Sequence, residues 1–239
     1  MYKILIPARL NSQRLQRKLL EKVDYKTIIQ MTWEACLKTD SEEVVVVTDS
    51  DEIFKLINNL GGSVFKSKKE HSSGTDRIQE YVEELKLSDE KLIINVQGDE
   101  PLIEVEAINK LGAFMIDNRF DYGTLAKTFS HDDDFNDSNK VKVLVDGNKG
   151  LDFYRTSPNN PDENGKILHH IGVYAFTAGF LNHFAKMPQT ANEQALKLEQ
   201  LRAIDNGFPI NVLELGLKDS WGIDTEEDLK KLREHHKFN

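Results

Sequence analysis

Four consecutive valines, Val44 to Val47, are the feature that most constrains the fold of this chain. They stand within the segment Glu42 to Thr48, and an apolar run without alternation is typical of a strand buried on both faces. Strands of that kind belong to parallel sheets whose faces are covered by helices. The run therefore predicts an α/β fold.

The segments around the valines have the spacing that such a fold requires. Short apolar segments predict strands at Tyr2–Ile6 and Ser63–Phe65. Apolar residues recur at helical spacing from Thr27 to Lys38, and a second helix follows a cap at Asp49 or Ser50. The resulting order of strand, helix, strand, helix, strand predicts a parallel sheet with right-handed crossovers.

A further strand leads into an acidic turn in the stretch Lys91 to Ile103, KLIINVQGDEPLI. Open α/β sheets bind ligands at the carboxyl ends of their strands, which is where this turn falls. Gly98 permits close approach of the backbone to a bound group, and Asp99 offers a hard oxygen ligand suited to Mg²⁺. The alternative is an ordinary turn with a solvated Asp99, after which Pro101 begins a helix.

A basic loop follows the first strand. It reads PARLNSQRLQRK from Pro7 to Lys18, and its cations are Arg9, Arg14, Arg17 and Lys18. Cations at the first βα turn are well placed to hold phosphate groups. The loop has neither the P-loop pattern nor the glycine pattern of dinucleotide-binding folds. Phosphate binding is favoured over the alternative, a solvated loop with scattered charges.

Composition excludes several classes of function. The net charge of −9 argues against general nucleic-acid binding, which requires a basic face, but it permits a local basic pocket. No run of 18 apolar residues predicts a membrane span, and the N-terminus does not read as a signal peptide. Cys36 is the only cysteine, so an internal disulfide is impossible and a cytoplasmic location is expected.

The segment Glu70 to Arg77, EHSSGTDR, predicts a tight loop rich in hydroxyl groups. Ser73 or Thr75 is expected to cap the helix that follows it. Hydroxyl and backbone groups of such a loop can bind the edge of a nucleotide base. Ordinary helix capping is the simpler interpretation of these residues by themselves.

The second half of the chain contains a strand, Ile167–Phe176, and a polar helix, Ala191–Asn206. Adjacent strand residues point to opposite faces, so at most one of His169 and His170 is expected at any one site.

A second acidic turn precedes the last helix. Asp224 stands just before Thr225, whose segment TEED has the spacing of a capping box. Asp224 is thus either part of an ordinary helix start or a second carboxylate for Mg²⁺. With no repeat and no low-complexity linker, one domain over residues 1–239 is expected.

These segments together resemble the CMP-Kdo synthetases of Gram-negative bacteria, the 3-deoxy-manno-octulosonate (Kdo) cytidylyltransferases. The matching pieces occur in the family's order and span nearly the whole chain. They are IPARLNSQRLQRKLL, HSSGTDR, NVQGDEP, VKV, HIGVYAF, LEQLR and WGIDTEEDL.

The resemblance implies a Rossmann-like nucleotidyltransferase fold with a mostly parallel sheet, flanked by helices. It also implies a small dimerisation lobe at roughly residues 130–205, and a homodimer that uses Mg²⁺. The implied reaction transfers CMP from CTP to Kdo or a close analogue, releases pyrophosphate and activates the sugar for lipopolysaccharide synthesis.

The family's motifs assign roles to individual positions of this chain. The implied catalytic residues are Arg14, Lys18, Asp99 and Asp224, and the two aspartates would ligate Mg²⁺. The implied CTP-binding residues are Ala8, Arg9, Arg14, Lys18, Ser73, Gly74 and Gln97. The implied sugar-acid residues are Gln97, Arg155, His170, Tyr174, Glu199 and Gln200.

Some positions depart from the family pattern. The first loop reads RLQRKLL where the family has RLPGKPL, so Gln16 and Arg17 replace proline and glycine and Arg17 adds charge near the phosphates. Arg155 lies one place from the family's aligned arginine. These changes leave three alternatives open: an 8-amino analogue of Kdo, a sialic-type nonulosonic acid, or an inactive nucleotide-binding relative.

Overall fold

The structure is a computed structural model that describes residues 1–10, 15–130, 134–156, 165–217 and 222–238. Arg14 lies outside the described residues. The strands are β1 (Tyr2–Ala8), β2 (Lys22–Val23), β3 (Lys26–Thr27), β4 (Glu43–Thr48), β5 (Ser63–Lys66), β6 (Leu92–Asn95), β7 (Tyr122–Lys127), β8 (Lys142–Asp146), β9 (Lys149–Tyr154), β10 (Lys166–Thr177) and β11 (Ile210–Glu214). The α-helices are α1 (Ile28–Cys36), α2 (Asp51–Asn59), α3 (Gly74–Glu84), α4 (Val105–Asn118), α5 (Ala178–Phe184), α6 (Ala191–Leu196), α7 (Leu201–Asp205) and α8 (Glu226–Phe238).

The first half of the chain forms the parallel sheet that the valines predict. β1 pairs in parallel with β4 on one side and with β6 on the other, and β5 extends the sheet beyond β4. All four valines are buried, as expected for a strand covered on both faces. Because β1 and β6 are parallel neighbours, the basic loop after β1 and the acidic turn after β6 both begin at the carboxyl end of the sheet.

Hydroxyl side chains cap the N-termini of three helices in this half of the chain. Thr27, Ser50 and Ser73 each accept a hydrogen bond from the backbone N–H three residues later, which satisfies an otherwise unpaired donor at the helix start. Of the pair Asp49–Ser50, Ser50 is the residue that caps α2. Ser73, and not Thr75, caps α3. Thr75 is left free to make a tertiary contact.

The second half of the chain pairs mainly antiparallel. β10 pairs antiparallel with β6, β7 and β8, while β11 pairs in parallel with β7 and antiparallel with β9. Since β8 also pairs with β9, the strands β10, β7, β11, β9 and β8 close into a ring. Within the described residues, parallel pairing is confined to the β5–β4–β1–β6 group and to the β7–β11 pair. The α/β class is confirmed, with a mixed sheet.

The helix predicted for Ala191–Asn206 is wrong as one continuous element. It is divided into α6 and α7, and Lys197 between them has a left-handed backbone with φ of 53°. A left-handed residue ends an α-helix because its carbonyl and N–H no longer lie along the helix axis. The break changes the direction in which Glu199 and Gln200 point.

Helices cover both faces of the central sheet, and a buried apolar cluster lies on each face. One cluster includes Ile4, Ile6, Val44 and Val46, and the other includes Leu5, Val45 and Val47. This alternation along β1 and β4 is what two covered faces require. No helix in the described residues has the length and hydrophobicity needed to cross a membrane.

Candidate active site

The two acidic turns meet at the carboxyl end of the sheet. The backbone N–H of Ile223 donates to the carbonyl oxygen of Asp99 at 2.9 Å, which fixes the turn before α8 against the turn after β6. On the other side, Thr225 and Asp228 make the predicted capping box: each side chain accepts from the other residue's backbone N–H, at 3.2 and 2.9 Å. Asp224 is thereby held between two fixed points.

Lys18 connects the two carboxylates. Its ammonium donates to Asp99 and, at 2.9 Å, to Oδ1 of Asp224. Burial by itself would lower the pKa of Lys18, yet attraction to the two aspartates raises it above the usual value. Two carboxylates therefore converge on one cation, although they lie 125 positions apart in the chain.

Glu100 lies beside this pair and carries a perturbed carboxyl group. Burial raises its pKa to about 8, and repulsion by Asp99 and Asp224 adds to the effect. A Cβ at Gly222 would approach Oε1 of Glu100 to 3.0 Å, so glycine at that position allows the two turns to pack closely.

Gly98 serves this packing as well. A Cβ there would lie 3.1 Å from Cδ1 of Ile29 and 3.2 Å from the carbonyl oxygen of Pro7. In this structure the close approach expected at Gly98 is thus to α1 and to the end of β1. Its carbonyl accepts from the hydroxyl of Thr32 at 3.0 Å, which anchors the acidic turn to α1.

A cavity of about 740 Å³ opens beside Lys18. Six of the seven CTP-binding residues implied by the family motifs line it, and the seventh, Arg14, lies outside the described residues. The six are Ala8, Arg9, Lys18, Ser73, Gly74 and Gln97. Asp99 and Asp224 line the same cavity. The lining thus combines hydroxyl and amide groups with cations and carboxylates.

The hydroxyl-rich loop lies against the end of β1. A Cβ at Gly74 would approach Cγ of Pro7 to 3.1 Å and Oε1 of Gln97 to 3.5 Å. Because Ser73 caps α3, the loop enters the helix in one fixed orientation. The base-binding role inferred for this loop is thus compatible with its position.

Arg17, the additional cation of the altered loop sequence, pairs with an acidic side chain. Its guanidinium pairs with Glu52 of α2, one of the two hydrogen bonds measuring 3.1 Å, and it is absent from the residues lining the cavity. Arg17 is thus engaged by Glu52 in this structure, and added charge near the phosphates stays a prediction. Its φ of 56° is a conformation that glycine adopts readily, so this one position keeps the backbone conformation that the family's glycine would favour.

A second cavity, of about 820 Å³, adjoins the first. It is lined by all six residues that the family motifs assign to the sugar acid: Gln97, Arg155, His170, Tyr174, Glu199 and Gln200. The two cavities share six lining residues: Gly74, Gln97, Lys197, Leu198, Glu199 and Asp224. They are two parts of one cleft with the Asp224 turn at their junction.

His170 and Tyr174 form the buried floor of the second cavity. Burial lowers the pKa of His170 to about 3, so its imidazole is neutral at physiological pH. Its Nε2 lies 2.9 Å from Oγ1 of Thr124. Burial raises the pKa of Tyr174, whose hydroxyl remains a donor and reaches Oε1 of Gln200 at 3.3 Å.

His169 also borders this cavity, contrary to the expectation that only one of the adjacent histidines would do so. The two rings do face different partners, since His169 stacks on Phe129 while His170 contacts Phe153 edge-on. However, β10 is irregular between Ile171 and Tyr174, and the wide cavity reaches both residues. Although adjacent side chains of the strand point to opposite faces, both histidines line the same cavity.

Arg155 reaches the sugar cavity, but its hydrogen bonds go to backbone carbonyls. Nε donates to Leu196 at 2.8 Å, and the terminal nitrogens donate to Ser138 at 3.1 Å and Lys197 at 3.3 Å. Two of these carbonyls belong to the C-terminal end of α6, where a cation is favourable. These hydrogen bonds from Arg155 stabilise the end of α6, just before Glu199.

Sequence reasoning missed several residues of the cleft. Arg77 lines the first cavity and pairs with Asp49 at 2.6 Å, and Glu100 lines the second. Both stand inside quoted motifs, so their proximity to assigned residues was an available signal. Lys142 stands in the quoted motif VKV, next to Val141 in the lining of the second cavity, and so had the same signal: it is fully buried and donates to the carbonyls of Asp137 and Arg155 at 2.8 and 2.9 Å.

Known proteins resemble this chain over nearly its whole length. A family model described as cytidylyltransferase matches residues 3–215. The chain is 38% identical to 3-deoxy-manno-octulosonate cytidylyltransferase 2 of Actinobacillus pleuropneumoniae serotype 5b, over 97% of each protein. It is 36% identical to the 3-deoxy-manno-octulosonate cytidylyltransferase of Francisella philomiragia, over 96% of each. A solved structure, CMP:2-keto-3-deoxy-manno-octonic acid synthetase complexed with CTP, matches with a TM-score of 0.89 at 31% identity, covering 100% of this chain and 99% of that one.

Proposed function

This chain belongs to the 3-deoxy-manno-octulosonate cytidylyltransferase family, and on that premise we propose that it transfers CMP from CTP to a 3-deoxy-ulosonic acid. The acceptor is Kdo or a close analogue such as 8-amino-Kdo, and pyrophosphate is the second product. We further propose that the activated sugar serves lipopolysaccharide synthesis. Neither a sialic-type acceptor nor an inactive protein is favoured, because the relatives reported above carry the Kdo name and Lys18 contacts both Asp99 and Asp224.

The observation that carries this proposal is the continuous cleft. Transfer requires that the acceptor hydroxyl approach the α-phosphorus in line, so the two substrates must lie side by side. Six residues line both cavities, and one of them is Asp224, in the cluster with Lys18 and Asp99. Enclosing both substrates in one cleft brings their reacting atoms together before the reaction.

The residues of the cleft have distinct tasks in this proposal. Arg9 and Lys18, with Arg14 by family resemblance, bind the triphosphate and offset the charge that spreads over its oxygens. The Ser73–Gly74 loop and Ala8 bind the cytosine, while Gln97 lies between the two substrates. The neutral imidazole of His170 and the hydroxyl of Tyr174 bind hydroxyl groups of the sugar acid.

The donor set at the junction fits Mg²⁺. Asp99 and Asp224 both reach the single ammonium of Lys18, so one cation can contact both carboxylates. Carboxylate oxygens are the ligands that Mg²⁺ prefers, with phosphate oxygens and water completing its shell. When bound, Mg²⁺ supplies charge neutralisation and orientation of the phosphates. Within the described residues no group of three or more metal-binding side chains occurs, which suits an ion held largely by the nucleotide.

We also propose a cytoplasmic homodimer, on the support of the family resemblance alone. The dimerisation lobe would lie at roughly residues 130–205. Sedimentation equilibrium of the purified protein distinguishes a dimer from a monomer of 27.3 kDa. A mass that stays at the monomer value at every concentration would contradict this part of the proposal.

The reaction is tested by pyrophosphate release in the presence of Mg²⁺. CTP is compared with the other nucleoside triphosphates, and Kdo with 8-amino-Kdo and a sialic acid. We expect turnover with CTP and a 3-deoxy-octulosonic acid only. Asp99→Asn should abolish turnover with the fold intact, whereas Asp146→Asn, at an exposed strand end, is the matched control. Folded protein that binds CTP but releases no pyrophosphate with any acceptor would refute the proposal.

A further inference from the structure

One contact joins the base-binding loop to the sugar cavity. The hydroxyl of Thr75 donates to Oε2 of Glu199 at 2.6 Å, across 124 positions of the chain. Thr75 is 3% exposed, so this hydrogen bond is shielded from water. The cap of α3 is Ser73, so the hydroxyl of Thr75 is not engaged in capping.

The two residues in this contact lie in different parts of the cleft. Thr75 stands in the first turn of α3, directly after the Ser73–Gly74 loop. Glu199 lines both cavities and follows the left-handed break at Lys197. The hydrogen bond thus ties a part of the molecule that faces the nucleotide to one that faces the sugar acid.

Glu199 needs an external anchor to keep one orientation. It lies in the short segment between α6 and α7, and neither helix holds its carboxylate by a hydrogen bond of its own. Oε1 is buried without a hydrogen-bond partner among the described residues, although the guanidinium of Arg202 lies 3.7 Å from it. Burial raises the pKa of Glu199, and the hydrogen bond from Thr75 counteracts the rise, together with smaller effects of Ser73 and Arg202. The hydroxyl therefore both orients the carboxylate and favours its ionised form.

We propose that Thr75 is a positioning residue that holds Glu199 for a hydroxyl group of the sugar acid and so couples the sugar cavity to the nucleotide loop. With its orientation fixed by Thr75, the carboxylate of Glu199 borders the sugar cavity, where it can accept a hydrogen bond from the substrate. A nucleotide base bound at Ser73–Gly74 fixes the first turn of α3 and, through Thr75, fixes Glu199. This inference rests on the proposed function, because it concerns the second substrate of that reaction.

The test compares Thr75→Val, which keeps the shape and removes the hydroxyl, with Thr75→Ser, which keeps the hydroxyl. For Thr75→Val we expect the KM for the sugar acid to rise about tenfold, as is typical when a buried polar group loses a hydrogen bond. The affinity for CTP alone, measured by calorimetry, should stay within twofold of wild type. Thr75→Ser should restore the KM for the sugar acid to within threefold.

A merely structural role predicts a different pattern. Thr75→Val would then lower thermal stability and weaken the binding of CTP and of the sugar acid to a similar extent. That result would overturn the proposal, and so would unchanged binding of both substrates. A double-mutant cycle sharpens the comparison: once Glu199→Ala has removed the acceptor, adding Thr75→Val should change the KM for the sugar acid no further. If Thr75→Val does not fold, Thr75→Ala replaces it in the same comparison.

Failure of this inference can be told apart from failure of the proposed function. Wild-type protein without turnover would refute the function itself. Wild-type turnover with an unchanged KM for the sugar acid in the folded Thr75→Val variant would refute only the role of Thr75.

Discussion

Lys18 illustrates how a single residue acquires its role from its surroundings. Its side chain is only 13% exposed, and its ammonium is close to two carboxylates that repel each other. A buried charge pair is costly to break from one side, because the partner then stays buried without compensation. Removing Lys18 therefore affects both the phosphates that it would bind and the two aspartates.

The first prediction concerns Lys18→Met. We expect kcat/KM to fall at least about 100-fold, since a cation that offsets developing phosphate charge is typically worth that much. Pyrophosphate release under saturating Mg²⁺ measures the effect. Lys38→Met, at an exposed position after α1, is the matched control and should keep wild-type activity. Comparable activity of the two variants would exclude Lys18 from the reaction.

The second prediction follows from the buried neutral His170. In the unfolded chain a histidine takes up a proton below about pH 6.5, whereas folded His170 resists protonation down to about pH 3. The unfolded state thus binds more protons in this range, so the free energy of unfolding falls as the pH is lowered from 6.5. One such group contributes a slope of up to about 1.4 kcal/mol per pH unit.

Urea unfolding between pH 7 and pH 5 measures this slope. His170→Gln should make the decline shallower, because the unfolded chain then has one histidine fewer to protonate. His183→Gln, at an exposed position of α5, provides the comparison for loss of an imidazole elsewhere. Parallel pH profiles for wild type and His170→Gln would contradict the prediction.

At the scale of elements, the break between α6 and α7 shapes the sugar side of the cleft. The two helices are held together by Arg202, which donates to both carboxylate oxygens of Glu193, at 2.9 and 2.5 Å. Arg155 adds hydrogen bonds to the last carbonyls of α6. The left-handed residue at Lys197 is stabilised by these tertiary contacts, which a helical periodicity does not encode.

The third prediction tests the backbone at Lys197. Lys197→Val and Lys197→Gly both remove the lysine side chain, but valine tolerates positive φ poorly and glycine adopts it readily. We expect Lys197→Val to be less stable than Lys197→Gly by about 1–2 kcal/mol, and to have a higher KM for the sugar acid. Chemical denaturation measures the first difference and steady-state kinetics the second. Equal stability of the two variants would show that the turn is not constrained.

For the whole molecule, stability depends on close packing between the sheet and the helices on both its faces. At Gly112 of α4 a Cβ would approach ring atoms of Tyr2 to 2.5 and 2.7 Å, so the helix can lie this close to β1 only without a side chain there. Tyr2 is 4% exposed and its hydroxyl donates to Asn109 at 2.7 Å, so its ring has little freedom to move.

The fourth prediction is that Gly112→Ala destabilises the protein despite the better helix propensity of alanine. Overpacking typically costs about 1–3 kcal/mol, against a gain of about 1 kcal/mol from propensity. Gly216→Ala is the control, because a Cβ there would meet no atom of the described residues within 4 Å. Thermal unfolding of both variants measures the difference, and an unchanged or raised Tm for Gly112→Ala would contradict it.

Local sequence patterns were enough to predict the parallel half of the fold, and family motifs identified many residues that line the cleft. Val44–Val47 predict a doubly buried strand because apolarity on both faces leaves few alternatives. The hydroxyl cap at Ser73 and the turn at Asp99 are local features, set by residues close to each other in the chain. Family motifs placed every described residue of the two substrate groups beside one of the two cavities.

Features that depend on residues distant in sequence became visible only in the folded molecule. The break at Lys197 is stabilised by hydrogen bonds from Arg155. The ammonium of Lys18 contacts Asp99 and Asp224, which come from distant turns. The antiparallel pairing of β10 requires strands from other parts of the chain. Helical or strand periodicity reports burial within one segment, whereas these features arise from hydrogen bonds and ion pairs between segments. The contact of Thr75 with Glu199 belongs to the same class, which is why no local pattern indicates it.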